Sequence, residues 1–214
     1  MSLSSYPVRV TGTRGRIDKR QAILEAAFTV FARDGYRAAS VDTVAATAGV
    51  AKHTIYNHFG DKQSLFRAAV AALADDALAR NLAAIETLRP ERDPVEALTE
   101  VGLKLAKCYC DEKSWAVRRL LQAELGSMPE LQDIVRERAT DKVNDALADR
   151  LARLALAGHL RLSDPAVAAE QFGALLTAPF DARSRLGTRK IPFNELAEVT
   201  QNAVQTFLRA FGVR

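Results

Sequence analysis

Apolar residues recur along this chain at steps of three and four, and the clearest such stretch is Val41 to Phe59, VDTVAATAGVAKHTIYNHF. Val41, Val44, Ala45 and Ala48 fall at i, i+3, i+4 and i+7, one face of a helix. Ser40 precedes them as an N-cap, and Gly49 follows as a left-handed stop. A second helix is expected from about Lys52. Its Ile55 and Phe59 share an inward face, while Lys52, His53, Tyr56 and Asn57 point the other way. That outer face is polar, aromatic and partly cationic. An apolar back and a front of hydrogen-bond donors suit a helix–turn–helix whose second helix enters a DNA major groove. On these two helices alone, an ordinary helical corner explains the pattern equally well.

The rest of the chain is patterned the same way. Residues 1–17 show no helical period and read as a flexible basic arm. Asp18 and Gln21 resemble a capping box for a first helix over about 19–34, with Ile23, Ala27, Val30 and Phe31 inward. Gly35 ends it. Gly60-Asp61 breaks the chain before a long fourth helix over about 62–87. Asp93-Pro94 opens a fifth over about 94–110. Ser114 caps a sixth over about 115–125, and Pro129 opens a seventh that runs to about 157. Asp164-Pro165 starts an eighth, which Pro179 should kink or end. Pro192 starts a ninth over about 193–211. In the seventh, Leu131, Val135, Ala139, Val143, Leu147 and Leu151 step by four, a row that drifts around a regular helix, so this helix is expected to pack on more than one side. With no strand pattern and no repeat, the expected fold is all-α with about nine helices. Its first part is a three-helix, homeodomain-like helix–turn–helix domain over 18–62, and a larger helical domain over 63–214 follows.

Charge adds one fact to that division. The 214 residues are 48% hydrophobic and 26% charged. Residues 1–62 hold nine Lys and Arg against five Asp and Glu, whereas residues 63–214 hold 21 of each. The whole net charge of +4 therefore lies in the first part, which points to a nucleic-acid partner for that part alone. No apolar run approaches the roughly 20 residues of a membrane span. Two cysteines and no secretory segment fit a cytoplasmic protein without a membrane partner.

The segment FARDGYRAASVDTVAATAGVAKHTIYNHFGDKQSLF resembles the DNA-binding domain of the tetracycline-repressor (TetR) family of bacterial regulators. The resemblance rests on Phe31, Gly35 and Tyr36, then Ser40-Val41, Ala45 and Ala48-Gly49-Val50. It continues through Thr54-Ile55-Tyr56, His58-Phe59, Lys62 and Leu65-Phe66, and is dense over about residues 14–70. RRLLQAELGSMPELQDIV and GHLRLSDPAVAAEQFGALL further resemble the AefR-like C-terminal subgroup. The resemblance implies a dimeric, all-helical regulator whose second domain binds a ligand and dimerises. It also implies that Tyr56 and Lys62 contact phosphates.

Taken together, the candidate DNA-binding residues are Ser40, Thr43, Lys52, His53, Thr54, Tyr56, Asn57, His58 and Lys62, with Arg14 and Arg16 of the arm as minor-groove contacts. Asn57 has the geometry to read adenine, and Lys52 to reach guanine. Lys62 stands at a helix start, where backbone N–H groups also favour an anion. Leu105, Tyr109, Trp115, Ile134, Arg138 and Phe172 are the candidate walls of a largely hydrophobic ligand pocket. Phe172, Leu176, Phe207 and Phe211 are candidates for a dimer seam or the core beside it. Cys108 and Cys110, two apart on a helix, face different ways and read as free core thiols rather than a metal or redox pair. His159 reads as a helix-end charge. No metal, cofactor or catalytic spacing is expected. The functional expectation is a homodimeric repressor on a pseudo-palindromic duplex, released by an unknown small effector. A DNA-binding regulator under a protein partner and a helical enzyme are the alternatives.

Overall fold

A computed structural model describes residues 12–213, with side chains from residue 19 onward. Among the described residues every regular element is helical, and a lone bridge between Leu160 and Gly212 is the only β pairing. The helices form two compact units, one ending at Ala69 and the other starting at Val70.

In the first unit α1 (Gly12–Ala38) is interrupted at Gly35, with φ 76° and ψ 160°. Its start corrects the expected boundary. Residues 12–17 are helical rather than an arm. Asp18 is therefore inside the helix, and Gln21 donates to Glu25 Oε1 at 3.1 Å instead of closing a capping box. Arg14 and Arg16 fall on this first stretch of helix, and the rest of the expected arm, residues 1–11, lies outside the described residues. Two short helices follow, α2 (Val41–Ala48) and α3 (Lys52–Phe59). Ile23, Ala27, Val30, Phe31, Val44, Ile55, Leu65 and Phe66 are all buried and form the core between them. Burying side chains of this size contributes roughly 1.5–3 kcal/mol each. That is how a small unit holds two helices too short to persist alone.

The helix α4 (Lys62–Ile85) begins in the first unit and continues into the second. Then come α5 (Pro94–Tyr109) and α6 (Glu112–Glu124). Asp111, not Ser114, caps α6, with its carboxylate accepting from Ser114 N–H at 2.6 Å. Three abutting segments make α7: Glu130–Val135, the π-helical Arg136–Thr140, and Asp141–Leu156. The π turn winds more residues per turn than an α-helix. It takes back part of the drift of the four-step row, in which Leu131, Ala139, Leu147 and Leu151 are buried and Val135 and Val143 are half-buried, so the helix packs on more than one side.

The chain ends with α8 (Pro165–Arg183) and α9 (Phe193–Phe211). Pro179 sits within α8 and does not end it. In this unit α5 packs on α8 and α9, and α8 packs on α7 and α9. Phe172, Leu176 and Phe207 are fully buried in the core of their own chain. Phe172 and Phe207 meet edge to face at 5.0 Å, and Phe211 lies half-buried 4.9 Å beyond Phe207. Phe172 and Leu176 of α8 and Phe207 of α9 are therefore core, one of the two places expected for them, because α8 and α9 turn these side chains onto α5 and each other.

Candidate functional site

The turn between α2 and α3 is built from local chemistry. Ser40 Oγ accepts from Thr43 N–H at 3.0 Å and shares a 2.8 Å hydrogen bond with Thr43 Oγ1. Both hydroxyls are thus engaged with each other at the start of α2. Gly49 sits at φ 65° and ψ 33°, a conformation that costs a Cβ-bearing residue roughly 1–2 kcal/mol. Its N–H reaches back to Ala46 O, and Val50 N–H to Ala45 O.

On α3 only Ile55 is fully buried. Lys52, His53, Tyr56 and Asn57 are exposed, with Tyr56 at 41%. Thr54, His58 and Phe59 are half-buried at the edges of that face. The Arg20 guanidinium lies 5.4 Å from the Phe59 ring centre. The expected display face is therefore present, with one acidic neighbour that the α3 sequence does not contain. Lys52 Nζ donates to Asp42 Oδ2 of α2 at 2.8 Å. The hydrogen bond to Asp42 raises the lysine above its ordinary value. Both groups are exposed, so the pair is weak and easily exchanged.

Lys62 stands at the expected start of α4 and has partners within its own unit. Its ammonium donates to Arg37 O at 3.1 Å and lies 4.7 Å over the Tyr36 ring. Tyr36 in turn stacks on Phe66 at 4.9 Å. Lys62 is half-buried and ties the end of α1 to the start of α4, so its charge is partly spent inside the unit. Asp61 caps α4, accepting from Ser64 N–H at 2.6 Å, and that bond holds its carboxyl below the usual range.

The second unit contains a cavity of about 440 Å³ walled by α4, α5, α6, α7 and α8. Leu73, Ala77, Leu105, Val117, Val143 and Leu147 supply apolar wall. Of the residues expected there, Leu105 and Tyr109 line it and the other four do not. Trp115 is turned into a separate cluster with Phe180, Ile191 and Val199, and Phe172 into the main core. Arg138 is exposed, paired with Asp75 Oδ2 at 2.8 Å. At Ile134 the neighbouring Val135 lines the cavity instead. Arg118 and Asn81, which sequence reasoning missed, both line the cavity. The available signal was Arg118 standing three residues after Trp115, one turn on along the same helix face.

Tyr109 Oη donates to Asp181 Oδ1 at 2.8 Å, and burial pushes the phenol up to about 12. Cys108 lines the cavity and Cys110 lies nearby, both free and half-buried. Burial pushes both thiols up, Cys110 to about 12, so neither is an activated thiolate. His159 Nε2 is 2.8 Å from Pro90 O, which makes it a tie between two loops. Among the described residues no group of side chains is arranged to hold a metal, and no helix is long and apolar enough to cross a membrane.

Comparison with known proteins agrees with both halves of this geometry. Residues 23–69 match the model for bacterial regulatory proteins of the tetR family. Residues 96–213 match the C-terminal domain of AefR-like transcriptional repressors. The chain is similar to the HTH-type transcriptional repressor Rv3405c of Mycobacterium tuberculosis, 32% identical over 91% of each protein. It is also similar to the HTH-type transcriptional activator FasR of Mycolicibacterium smegmatis, 28% identical over 64% of this chain and 61% of that one. Among solved structures, a regulator assigned to the tetR family from Mesorhizobium loti superposes with a TM-score of 0.86. It is 26% identical, and the match covers 92% of this chain and 98% of the other.

Proposed function

We propose, on the footing that this chain belongs to the tetR family of bacterial regulatory proteins and is a transcriptional regulator, that it is a homodimeric repressor. In this reading a small, largely apolar molecule entering the cavity of the second unit releases it from its operator. Lys52, His53, Tyr56 and Asn57 would meet the major groove, with Ser40 and Thr43 on the flanking backbone. Two copies would then read a pseudo-palindromic duplex, because two equivalent reading helices require two half-sites.

The observation that carries this reading is α4. Leu73, Ala74, Ala77, Arg80 and Asn81 of this helix line the cavity, while its first turns belong to the unit that contains α3. A ligand that shifts the wall would move the helix as a whole. Two reading helices must lie about 34 Å apart, one turn of DNA, to occupy both half-sites. A ligand preferring the misfit spacing tenfold shifts the balance by about 1.4 kcal/mol, and near-complete release needs several. The pocket must therefore distinguish the two states and not merely bind. The lining favours an apolar body, and the volume is that of an ordinary small-molecule site.

The test follows Trp115 fluorescence and operator affinity together during one titration. Trp115 is buried and touches the same arginine that lines the cavity, so filling the cavity should change its emission. Operator affinity should fall over the same concentration range. Saturation of the tryptophan signal with unchanged operator affinity would contradict coupling through α4.

A further inference from the structure

We infer that the molecule taken by this cavity is a monoanion, a carboxylate on an apolar body, with Arg118 as its counter-ion. This rests on the sensing role proposed for the same cavity.

The argument starts from an arginine whose charge is not answered. Arg118 projects from α6 into the corner between two rings, its Cζ 3.8 Å from the centre of Tyr109 and 3.8 Å from that of Trp115. The rings stand at 71° to each other, 5.7 Å apart. Seen from Cζ the two ring centres stand roughly at right angles, so one ring can cover a face of the guanidinium while the other lies beside its edge, and the remaining N–H groups need acceptors in the plane. One N–H is met, Nη2 donating to Tyr109 O at 2.7 Å. Nε is buried with no acceptor. Among the described residues no carboxylate stands at ion-pair distance from it, whereas Arg80, Arg92, Arg136, Arg138, Arg153, Arg183 and Arg189 each hold one.

The two acids in its neighbourhood are engaged elsewhere. Asp181 accepts from Tyr109 Oη, and Asp111 accepts from Ser114 N–H and from Arg80 Nη2 at 3.0 Å. A cation withdrawn from water without a counter-charge is costly. Burial accordingly pushes Arg118 below its ordinary value. A carboxylate offers the planar, two-oxygen partner that a guanidinium edge fits best.

The rest of the cavity agrees. Arg80, Lys113 and Arg118 line it against one acid, Glu170. Arg80 is already met by Asp76 and Asp111, which leaves Arg118, half-buried with its Nε buried, without an ion-pair partner. Asn81, on the α4 wall, has its Oδ1 buried without a donor. Turned over, the same amide presents N–H groups instead. A ligand head that engaged Asn81 would address α4 directly. Beyond these groups the walls are aliphatic and suited to a hydrocarbon chain or a flat ring.

The experiment is calorimetry on the full chain with two matched pairs of probes. One pair is decanoate and decanamide, the other 2-naphthoate and its primary amide. At least one acid should bind tenfold or more tightly than its amide, and the pair that shows this tells a chain from a flat body. Arg118→Gln should bring that acid to the affinity of its amide, and Arg118→Lys should keep part of the preference. If Arg118→Gln does not fold, the wild-type pairs decide alone. Amides binding as tightly as acids, or an acid preference that survives Arg118→Gln, overturns the inference and leaves the sensing role standing. Failure of all four probes to bind overturns the inference and the sensing role of this cavity together.

Discussion

Lys52 at the start of α3 reaches back to Asp42 near the start of α2, Nζ to Oδ2 at 2.8 Å. The cation nearest the proposed groove is thus held by an internal acid in the free protein. A DNA phosphate or base edge has to replace that carboxylate, so the aspartate acts as a competitor for the lysine. Asp42→Asn should therefore tighten DNA binding at low salt. It should also steepen the slope of log affinity against log salt by about one, the increment for one more phosphate contact. Filter binding across a salt series measures both. An unchanged slope would show that Lys52 reaches no phosphate.

Lys62 makes the opposite case. Its ammonium serves Arg37 O and the Tyr36 ring within the first unit. Replacing it with Met should cost about 1 kcal/mol of stability from the lost hydrogen bond and ring contact. The salt slope of DNA binding should stay within half a unit of wild type. A steep loss of slope without a loss of thermal stability would restore Lys62 as a phosphate contact.

Gly187 follows α8 in a left-handed conformation, φ 80°, directly against Trp115. A Cβ built there would meet the indole at 2.5 Å, and two preceding residues, Arg185 and Leu186, are also left-handed. Gly187→Ala should destabilise the second unit by roughly 1–3 kcal/mol, from backbone strain and a displaced tryptophan. Thermal unfolding followed by Trp115 fluorescence reports both effects. An unchanged midpoint and emission maximum would show that the loop yields freely.

Glu100 lies between Lys104 Nζ and Arg92 Nη1, each at 2.6 Å. Lys104 first, and then Arg92, hold its carboxyl at about 2, below the ordinary 4.5. The folded state therefore binds this proton less readily than the unfolded chain. The stability it gives is complete above pH 4.5 and is lost as pH falls towards about 2. Glu100→Gln should be less stable than wild type at pH 7, and the difference should close over that window. A gap that persists at pH 2 would assign the effect to packing. The carboxylate and both its partners are open to solvent, so the gap is small.

What the sequence revealed was set by how local each feature is. The faces of α3 follow from a 3.6-residue period, so buried Ile55 and exposed His53, Tyr56 and Asn57 were legible. The π turn in α7 was not, although the drift of the four-step row from Leu131 to Leu151 already showed a helix packed on more than one side. The internal partners of Lys62, Tyr36 and Arg37, were not legible because they come from another helix. Asp42 was missed as the partner of Lys52 for the same reason. Phe172 and Trp115 were recognisable as apolar helix positions. Period alone cannot say whether such a side chain faces a cavity, a core or another copy, since all three want the same residues. Arg118 shows the limit best: its meaning lies in two rings and an absent carboxylate, and neither is a property of α6 alone.

The most direct test of the account is selection of binding sites by the full chain from a pool of random duplexes, followed by a salt titration on the winner. The account predicts an enriched site with two inverted half-sites centred about one helical turn apart, bound as a dimer, with affinity falling steeply as salt rises. A final pool no richer in any sequence than the starting one, or binding indifferent to salt, would contradict it.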